Sequence, residues 1–465
     1  MRQALRQLLG PLRVAGDVPS ASLPPGPAEP PVVQLGRFLF DPGGFMRGAA
    51  ASHGTPLTMR VGGLPPVVQF VQPDDVREVF AGSPDALHAG KANRVLEPFL
   101  GEWSVLLLDG ARHRSQRKLL LPPFRGERMR AYGAAMIDVT RRAMERWPRA
   151  SSGGAVIQVQ QGTQDITLDI ILRTVFGQRE GVEERELRGR LVAMLSIADN
   201  PLWVVRALQR DLGPRSPWGR FLRARAEVFR RLDADLAERR AAGRRSEDIV
   251  SLLLDAWHED GTPMSDAEIR DELLTLLVAG HETTATALSW TLHRLSRHPE
   301  VLRAVHGELD AVYGAAEVGP ERLGELRLLD AVIKETLRVH PVVPGVGRFL
   351  MAPQRIGAWD LPAGVVAGCS VILAHENPSS WPEPRAYRPE RFLEGRPPAF
   401  AFFPFGGGAR RCIGEAFALY EMRAVLATVL RELVPVAAPG VRIRPVRRNV
   451  TLSPSGGCPL RFAPR

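Results

Sequence analysis

A chain of 465 residues with 45% hydrophobic and 24% charged content has the composition of a globular protein, which excludes disordered and collagen-like classes. Three cysteines, Cys369, Cys412 and Cys458, are too few for a disulfide framework and point to a reducing compartment. The net charge of +10 comes almost wholly from arginine, with Lys91, Lys118 and Lys334 the only lysines. An arginine-rich codon bias accounts for that charge better than a nucleic-acid partner, although a local basic patch stays open.

Met1 to Gly16 scatters Arg2, Arg6 and Arg13 among leucines with no unbroken apolar run, so neither a cleaved leader nor a transmembrane anchor is expected. A cytoplasmic location follows as the expectation. Residues 1–31 form an extended, Pro-rich lead-in, and residues 32–465 are expected to form a single domain. Leu57–Val61 and Val67–Val71 flank a Gly-Gly-Leu-Pro-Pro turn and predict a strand pair. From Asp74 to Val312 the pattern is mainly helical. Strand-like pieces return at Arg355–Ala374 and at Val441–Phe462, the latter bent at Pro454-Ser-Gly-Gly457. The expected fold class is mainly α with a small β-region built from both ends of the chain.

The most legible helix runs from about Ser265 to His298, opened by the capping box Ser265-Asp-Ala-Glu268 and stopped by Pro299. At a rise of 1.5 Å per residue it is about 50 Å long. Its middle, Leu273 to Gly280, is apolar on every face and marks a helix enclosed by protein. Ala279, Gly280, Thr283 and Ala287 then make one face small, suited either to close helix packing or to a flat object lying against it. His281-Glu-Thr-Thr284 interrupts this centre. A threonine satisfies itself by bonding back one turn, whereas Glu282 has no such local remedy. An acid beside an alcohol next to a glycine suits proton delivery.

Lys334-Glu-Thr-Leu-Arg338 places Glu335 and Arg338 at i,i+3, and Pro389-Glu-Arg-Phe392 adds Arg391. A carboxylate held by two arginines makes a strong clamp, but spacing alone does not bring them together. Cys412 lies in Phe405-Gly-Gly-Gly-Ala-Arg-Arg-Cys-Ile-Gly414, after a glycine-rich loop, behind two arginines and at the start of a helix predicted over Ile413–Leu433. These surroundings favour thiolate over thiol, so the sulfur is either a nucleophile or a soft-metal ligand, and the rest of the chain favours the ligand. Ala416, Leu419, Met422, Leu426, Val429 and Leu430 give that helix an ordinary core face. Cys369 and Cys458 read as inert thiols.

Taken in order, these residues resemble the cytochrome P450 monooxygenases. The Cys412 segment is similar to the family's haem-binding loop F-x-x-G-x-R-x-C-x-G at Phe405, Gly408, Arg410, Cys412 and Gly414. Ala279-Gly-His-Glu-Thr-Thr284 resembles the oxygen-activating stretch, and Glu335-Thr-Leu-Arg338 the E-x-x-R element with Arg391 as its partner. His113-Arg-Ser-Gln-Arg117 resembles the helix that meets the haem propionates. The cysteine loop is a specific signal; E-x-x-R alone is weak.

The resemblance implies the P450 fold, with a long central helix over haem b (iron protoporphyrin IX), and Cys412 as the proximal iron ligand. It implies His113, Arg117 and Arg410 as propionate partners, Arg348 as a fourth, and Phe405, Ala279 and Gly414 as neighbours of the macrocycle. Thr283 is expected to hold the O2-derived ligand and its water chain, and Glu282 to relay protons. Electrons are expected from NAD(P)H through a separate ferredoxin or flavodoxin and its reductase, docking on Arg114, Lys118 and Arg411. The protein is expected to be a monomer that oxidises a hydrophobic small molecule, such as a fatty acid, terpenoid, steroid or polyketide, by hydroxylation or epoxidation. The Glu-Thr-Thr and Pro-Glu-Arg-Phe runs tilt this toward fatty acids. Pocket loops at Ala81–Val105 and Ser196–Trp218 carry Arg94, Arg206 and Arg210, none of which is assigned a carboxylate. A haem-thiolate lyase or isomerase, or a haem-binding protein that does not turn over, is the alternative.

Overall fold

The structure is a computed structural model that describes residues 22–62, 64–124, 128–147, 155–177, 182–198, 208–243 and 248–465. Arg2, Arg6, Arg13 and Arg206 lie outside the described residues, as does the lead-in before Ser22. What is described of the lead-in packs onto the domain. Thr58 donates through Oγ1 to the Pro24 carbonyl at 2.6 Å, and Gln34 through Nε2 to Pro27 at 3.0 Å.

Helices dominate, with small sheets at the periphery. The largest sheet has five strands: β1 (Leu57–Met59), β2 (Val67–Phe70), β3 (Leu87–His88), β4 (Gly345–Leu350) and β5 (Val366–Ser370). Their spatial order is β1-β2-β5-β4-β3, so the sheet joins the two ends of the chain, with β2 parallel to β5. It covers a core of its own around Val68, Phe70, Phe80 and Leu350, separate from the larger helical core.

Six helices position the site: α1 (Pro73–Ala81), α2 (Gly110–Leu120), α3 (Val159–Phe176), α4 (Asp266–Arg297), α5 (Arg327–Val339) and α6 (Glu415–Glu432). The central helix α4 has the predicted capping box, with the Ser265 hydroxyl accepting from the Glu268 N–H and the Glu268 carboxylate accepting from the Ser265 N–H at 2.8 Å. It packs most extensively on α3. Thr163 and Thr167 of α3 donate to the Ala285 and His281 carbonyls at 3.0 and 3.1 Å, which fixes the register of the two helices where the sequence turns polar. The C-terminal hairpin, Pro445–Arg448 with Thr451–Pro454, is tied to α4 by Trp290, whose Nε1 donates to the Leu452 carbonyl at 2.8 Å.

Two expectations differ from the structure. Val371–Ala374, read as strand, lie in a helical turn, Val371–His375, whose Leu373 N–H bonds the Ser370 hydroxyl at 3.3 Å. A short run that is apolar on all sides carries no period to separate the two states. Leu433, predicted to end a helix, instead opens a strand, Leu433–Ala437, that pairs with Pro459–Pro464.

The clamp is assembled. Glu335 and Arg338 are fully buried and bonded in parallel, Nε and Nη2 of the arginine each 2.7 Å from a carboxylate oxygen. Arg391 reaches the same carboxylate at 3.2 Å, and the Arg388 N–H at 2.8 Å. The other donors of Arg338 go to the carbonyls of His375, Pro384 and Ala386 at 2.7 to 3.0 Å. All five guanidinium protons are therefore used, and α5 is stitched to the chain leading into the Cys412 loop. Removing one partner of such a pair leaves a buried charge and costs about 3–5 kcal/mol. Glu335→Ala is expected to lose that much in denaturant unfolding, and Arg391→Ala, whose guanidinium is less buried, clearly less. A Glu335→Ala variant as stable as the parent would remove the clamp from the folding argument.

Candidate functional site

A cavity of about 350 Å³ lies between α4 and the loop before α6. One wall is the small face of α4, with Ala279, Gly280, Thr283 and Ala287. The facing wall is Phe405, Cys412, Gly414 and Phe417, and one edge carries His113, Arg117 and Arg410. The result is an apolar slot with one sulfur on a face and a basic rim. Gly280 leaves little space behind α4, since a methyl there would stand 3.2 Å from Ile171 Cδ1.

The Cys412 loop is closed by the Cys412 N–H donating to the Phe405 carbonyl at 2.9 Å and the Arg411 N–H to Gly408 at 3.1 Å. Gly408 has a φ of 63°, and a Cβ there would stand 2.0 Å from the Phe80 carbonyl of α1, so no other residue fits. The helix begins at Glu415, not Ile413, with Gly414 as its N-cap. The thiol faces the cavity, and burial raises its pKa above the ordinary value. The Gly414 N–H, Arg117 and Arg411 pull the other way and Glu415 adds to the rise. For the protein's own groups alone, burial thus outweighs those expected to favour the thiolate.

His113 on α2 is buried, and its pKa is lowered to about 3, first by burial and then by Arg410, Arg117, Arg348 and Arg114. Burial likewise lowers Arg410, to about 10, with Asp109 opposing. Arg348 on β4 is buried behind this rim rather than on the cavity wall, donating to the Gly347 and Gly407 carbonyls at 3.0 and 3.3 Å. Asp109 is a partner that sequence reasoning missed. It accepts from Arg410 at 2.5 Å and from the Gly90 and Lys91 N–H groups at 2.8 and 2.9 Å. Standing just before Gly110, it reads in sequence as a routine helix cap, although its side chain caps nothing.

Thr283 lines the cavity and donates to the Ala279 carbonyl at 2.6 Å, so it is this threonine that bonds back one turn. Glu282 lies off the cavity wall. It faces α3, accepting from Gln164 Nε2 at 2.6 Å and Gln160 Nε2 at 3.4 Å, and it lines a smaller cavity of about 160 Å³ with His281, Asp165 and Arg448. Its carboxylate is thus satisfied by two amides from a neighbouring helix, a remedy invisible along α4 alone. The proposed docking cations are each matched: Arg114 with Asp85 at 3.7 Å, Lys118 with Glu259, and Arg411 with Glu415 at 2.6 Å.

A flat macrocycle with an apolar body, a metal centre and two carboxylates on one edge fits this donor set. One soft ligand faces the middle of the slot, and a rim of mutually repelling basic groups lines one side. Among the described residues no helix is long and apolar enough to cross a membrane.

Comparison with known proteins agrees with this geometry. A family model described as Cytochrome P450 matches residues 24–457. A Mycobacterium tuberculosis protein named cytochrome P450 135A1 is 37% identical over 96% of each chain. A Mycobacterium bovis protein named cytochrome P450 135B1 is 36% identical over 95% of this chain and 92% of its own. Among solved structures, a cyanobacterial CYP120A1 with retinoic acid bound superposes with a TM-score of 0.83 at 26% identity, covering 96% of this chain and all of its own. The haem domain of cytochrome P450DA, at 23% identity and a TM-score of 0.81, shares the fold.

Glu272 is a second residue that sequence reasoning missed. It is fully buried on α4 and accepts from the Val105 N–H at 2.7 Å, while Arg410 donates to the Val105 carbonyl at 3.1 Å. Burial pushes its carboxyl up to about 8, with Asp271 and Glu268 adding to the rise and Gln116 and the Val105 N–H opposing it. Between pH 4.5 and about 8 the folded chain keeps a proton that the unfolded chain has lost, so this group's stabilisation falls through that window and levels off above it. Glu272→Gln keeps an acceptor and removes the titration. In thermal melts of the haem-loaded protein it is expected to match the parent near pH 4.5 and to melt higher at pH 8.5. Equal pH profiles would show that the burial of Glu272 is not felt.

Proposed function

Because the chain belongs to the cytochrome P450 family, we propose that it is a haem-thiolate monooxygenase that inserts one atom of O2 into an apolar organic molecule, using electrons from separate carrier proteins. The observation that carries this reading is Cys412, in the family's loop pattern, facing Thr283 across one apolar slot. Bound haem b supplies O2 binding and activation, with the sulfur donor favouring O–O cleavage.

The chain's own residues do the remainder. Cys412 would hold the iron through Sγ, and Phe405, Ala279 and Gly414 would pack against the ring. His113, Arg117 and Arg410 would neutralise the propionates, with Arg348 adding to the positive field from behind. Thr283 Oγ1, if released from the Ala279 carbonyl, would donate into the cavity between α4 and the Cys412 loop. Glu282 passes protons from the side of α3, where Gln164 fixes its orientation and the smaller cavity admits water. A lyase or isomerase needs no alcohol there, so Thr283 favours the monooxygenase.

The walls suit a hydrophobic substrate, such as a fatty acid, terpenoid, steroid or polyketide. The relative with retinoic acid bound supports an elongated apolar acid. Hydroxylation and epoxidation are equally served. Reduction comes from NAD(P)H through a ferredoxin or flavodoxin and its reductase, to a monomer in the cytoplasm. The paired state of Arg114, Lys118 and Arg411 makes docking only weakly dependent on salt.

Reduced protein under carbon monoxide is expected to show the absorption band typical of sulfur-bound haem, and Cys412→Ala to abolish it. Absence of that band in porphyrin-supplemented preparations would end this reading. Thr283→Ala is expected to keep the band yet lower product formed per NAD(P)H by about tenfold or more, the difference appearing as hydrogen peroxide. Full coupling would take Thr283 out of the proton path.

A further inference from the structure

A second cavity of about 270 Å³ lies beside the haem slot, bounded by Phe38, Leu64, Val67, Lys91 and Phe349. Val346 of β4 lines both spaces, so the stretch Pro344–Gly347 is the partition between them. Its walls are mostly apolar, and its one lysine is unlike the other two. Lys118 is paired with Glu259, and Lys334 with Asp330 at 2.6 Å. Lys91 has no carboxylate in reach among the described residues. Its ammonium sits 4.2 Å from the centroid of the Phe349 ring and 3.5 Å from Met351 Sδ. Arg94, on the same cavity, is occupied by Glu97 at 3.6 Å.

The backbone that carries this ammonium is held firmly. The Gly90 and Lys91 N–H groups both donate to Asp109, the partner of Arg410, and Asn93 Nδ2 donates to the Leu106 carbonyl at 3.2 Å on the haem side. Gln69 adds a second polar feature to the cavity, its buried Oε1 having no hydrogen-bond partner. The chain thus places one rigidly mounted cation, without its own anion, at the rim of an apolar space that adjoins the reaction chamber.

We propose that Lys91 anchors the head group of an amphipathic carboxylate substrate, whose tail lies in the second cavity and passes Val346 into the haem slot. A single ammonium carries one positive charge and so matches a monoanionic carboxylate, whereas a dianionic phosphate would keep net negative charge against mostly apolar walls. The aromatic and thioether contacts exclude part of the water from the charge, so an incoming carboxylate meets a stronger field than on open surface. This inference rests on the monooxygenase reading and narrows its substrate to acids.

The test uses the haem-loaded protein and follows the iron spin-state spectrum. Dodecanoic, tetradecanoic and hexadecanoic acids are each titrated against the alcohol of the same length. The parent is expected to bind each acid about tenfold more tightly than its alcohol, or about 1.4 kcal/mol. Lys91→Gln is expected to bring the pair within about twofold by weakening the acid, and Lys91→Arg to restore part of the preference. Acetate, the bare head group, is expected to leave the spectrum unchanged. No preference in the parent, an undiminished preference in Lys91→Gln, a response to acetate equal to that of the acids, or no response to any acid would each overturn the inference. The carbon monoxide band separates the two readings: if it persists through any of these outcomes, the haem-thiolate assignment stands and only the anchor falls.

Discussion

Mutual repulsion at the edge of one apolar slot is the constraint that organises this molecule. His113, Arg117, Arg348 and Arg410 stand close enough to depress the imidazole to about 3, with burial as the larger cause. Asp109 answers part of that field, and the Gly347, Gly407, Val105 and Leu108 carbonyls answer more. A dianionic ring edge would complete the balance, and a metal ion would do the same for the sulfur on the facing wall. Burial raises the Cys412 thiol, and a metal ion ligated there would favour the anion. Binding of haem and stability of the fold are therefore linked, because a ligand that binds only the folded chain deepens its free-energy well.

The scaffold delivers these groups from distant parts of the chain. Glu335 and Arg338 on α5, with Arg391, fix the segment that runs into the Cys412 loop. Phe80 of α1 fixes the loop itself by leaving no room for side chains at Gly407 and Gly408. The segment from Val105 to Asp109 is gripped on opposite sides, by Glu272 of α4 and by Arg410 of the cysteine loop. One short stretch thus touches the central helix, the basic rim and, through Gly90 and Lys91, the cavity beside the slot. A ligand that settles against Lys91 presses on the same hydrogen-bonded frame that holds Arg410.

Some features were legible because they are local. The capping box at Ser265, the stop at Pro299 and the apolar middle of α4 follow from caps, proline sterics and periodicity, all properties of neighbouring residues. The Phe405–Gly414 pattern was legible for a related reason, since its glycines and cysteine act within one turn of each other. Others were not. Val371–His375 carries no period. Asp109 looks like a cap until Arg410 arrives from some 300 residues away. Glu282 seems stranded on its own helix until Gln160 and Gln164 meet it from α3.

The order of the motifs, read along the chain, determined the family, the sulfur that faces the cavity and the length of the helix opposite it, because each is written in residues that lie close together. Charge partners belonged to the tertiary structure alone. Composition counts arginines and carboxylates without saying which of them meet, and Coulomb energy depends on separation in space. Folding matched Arg114, Lys118 and Arg411 with acids, sealed Glu335 between two guanidinium groups, and left Lys91 alone of the three lysines without a carboxylate beside it among the described residues.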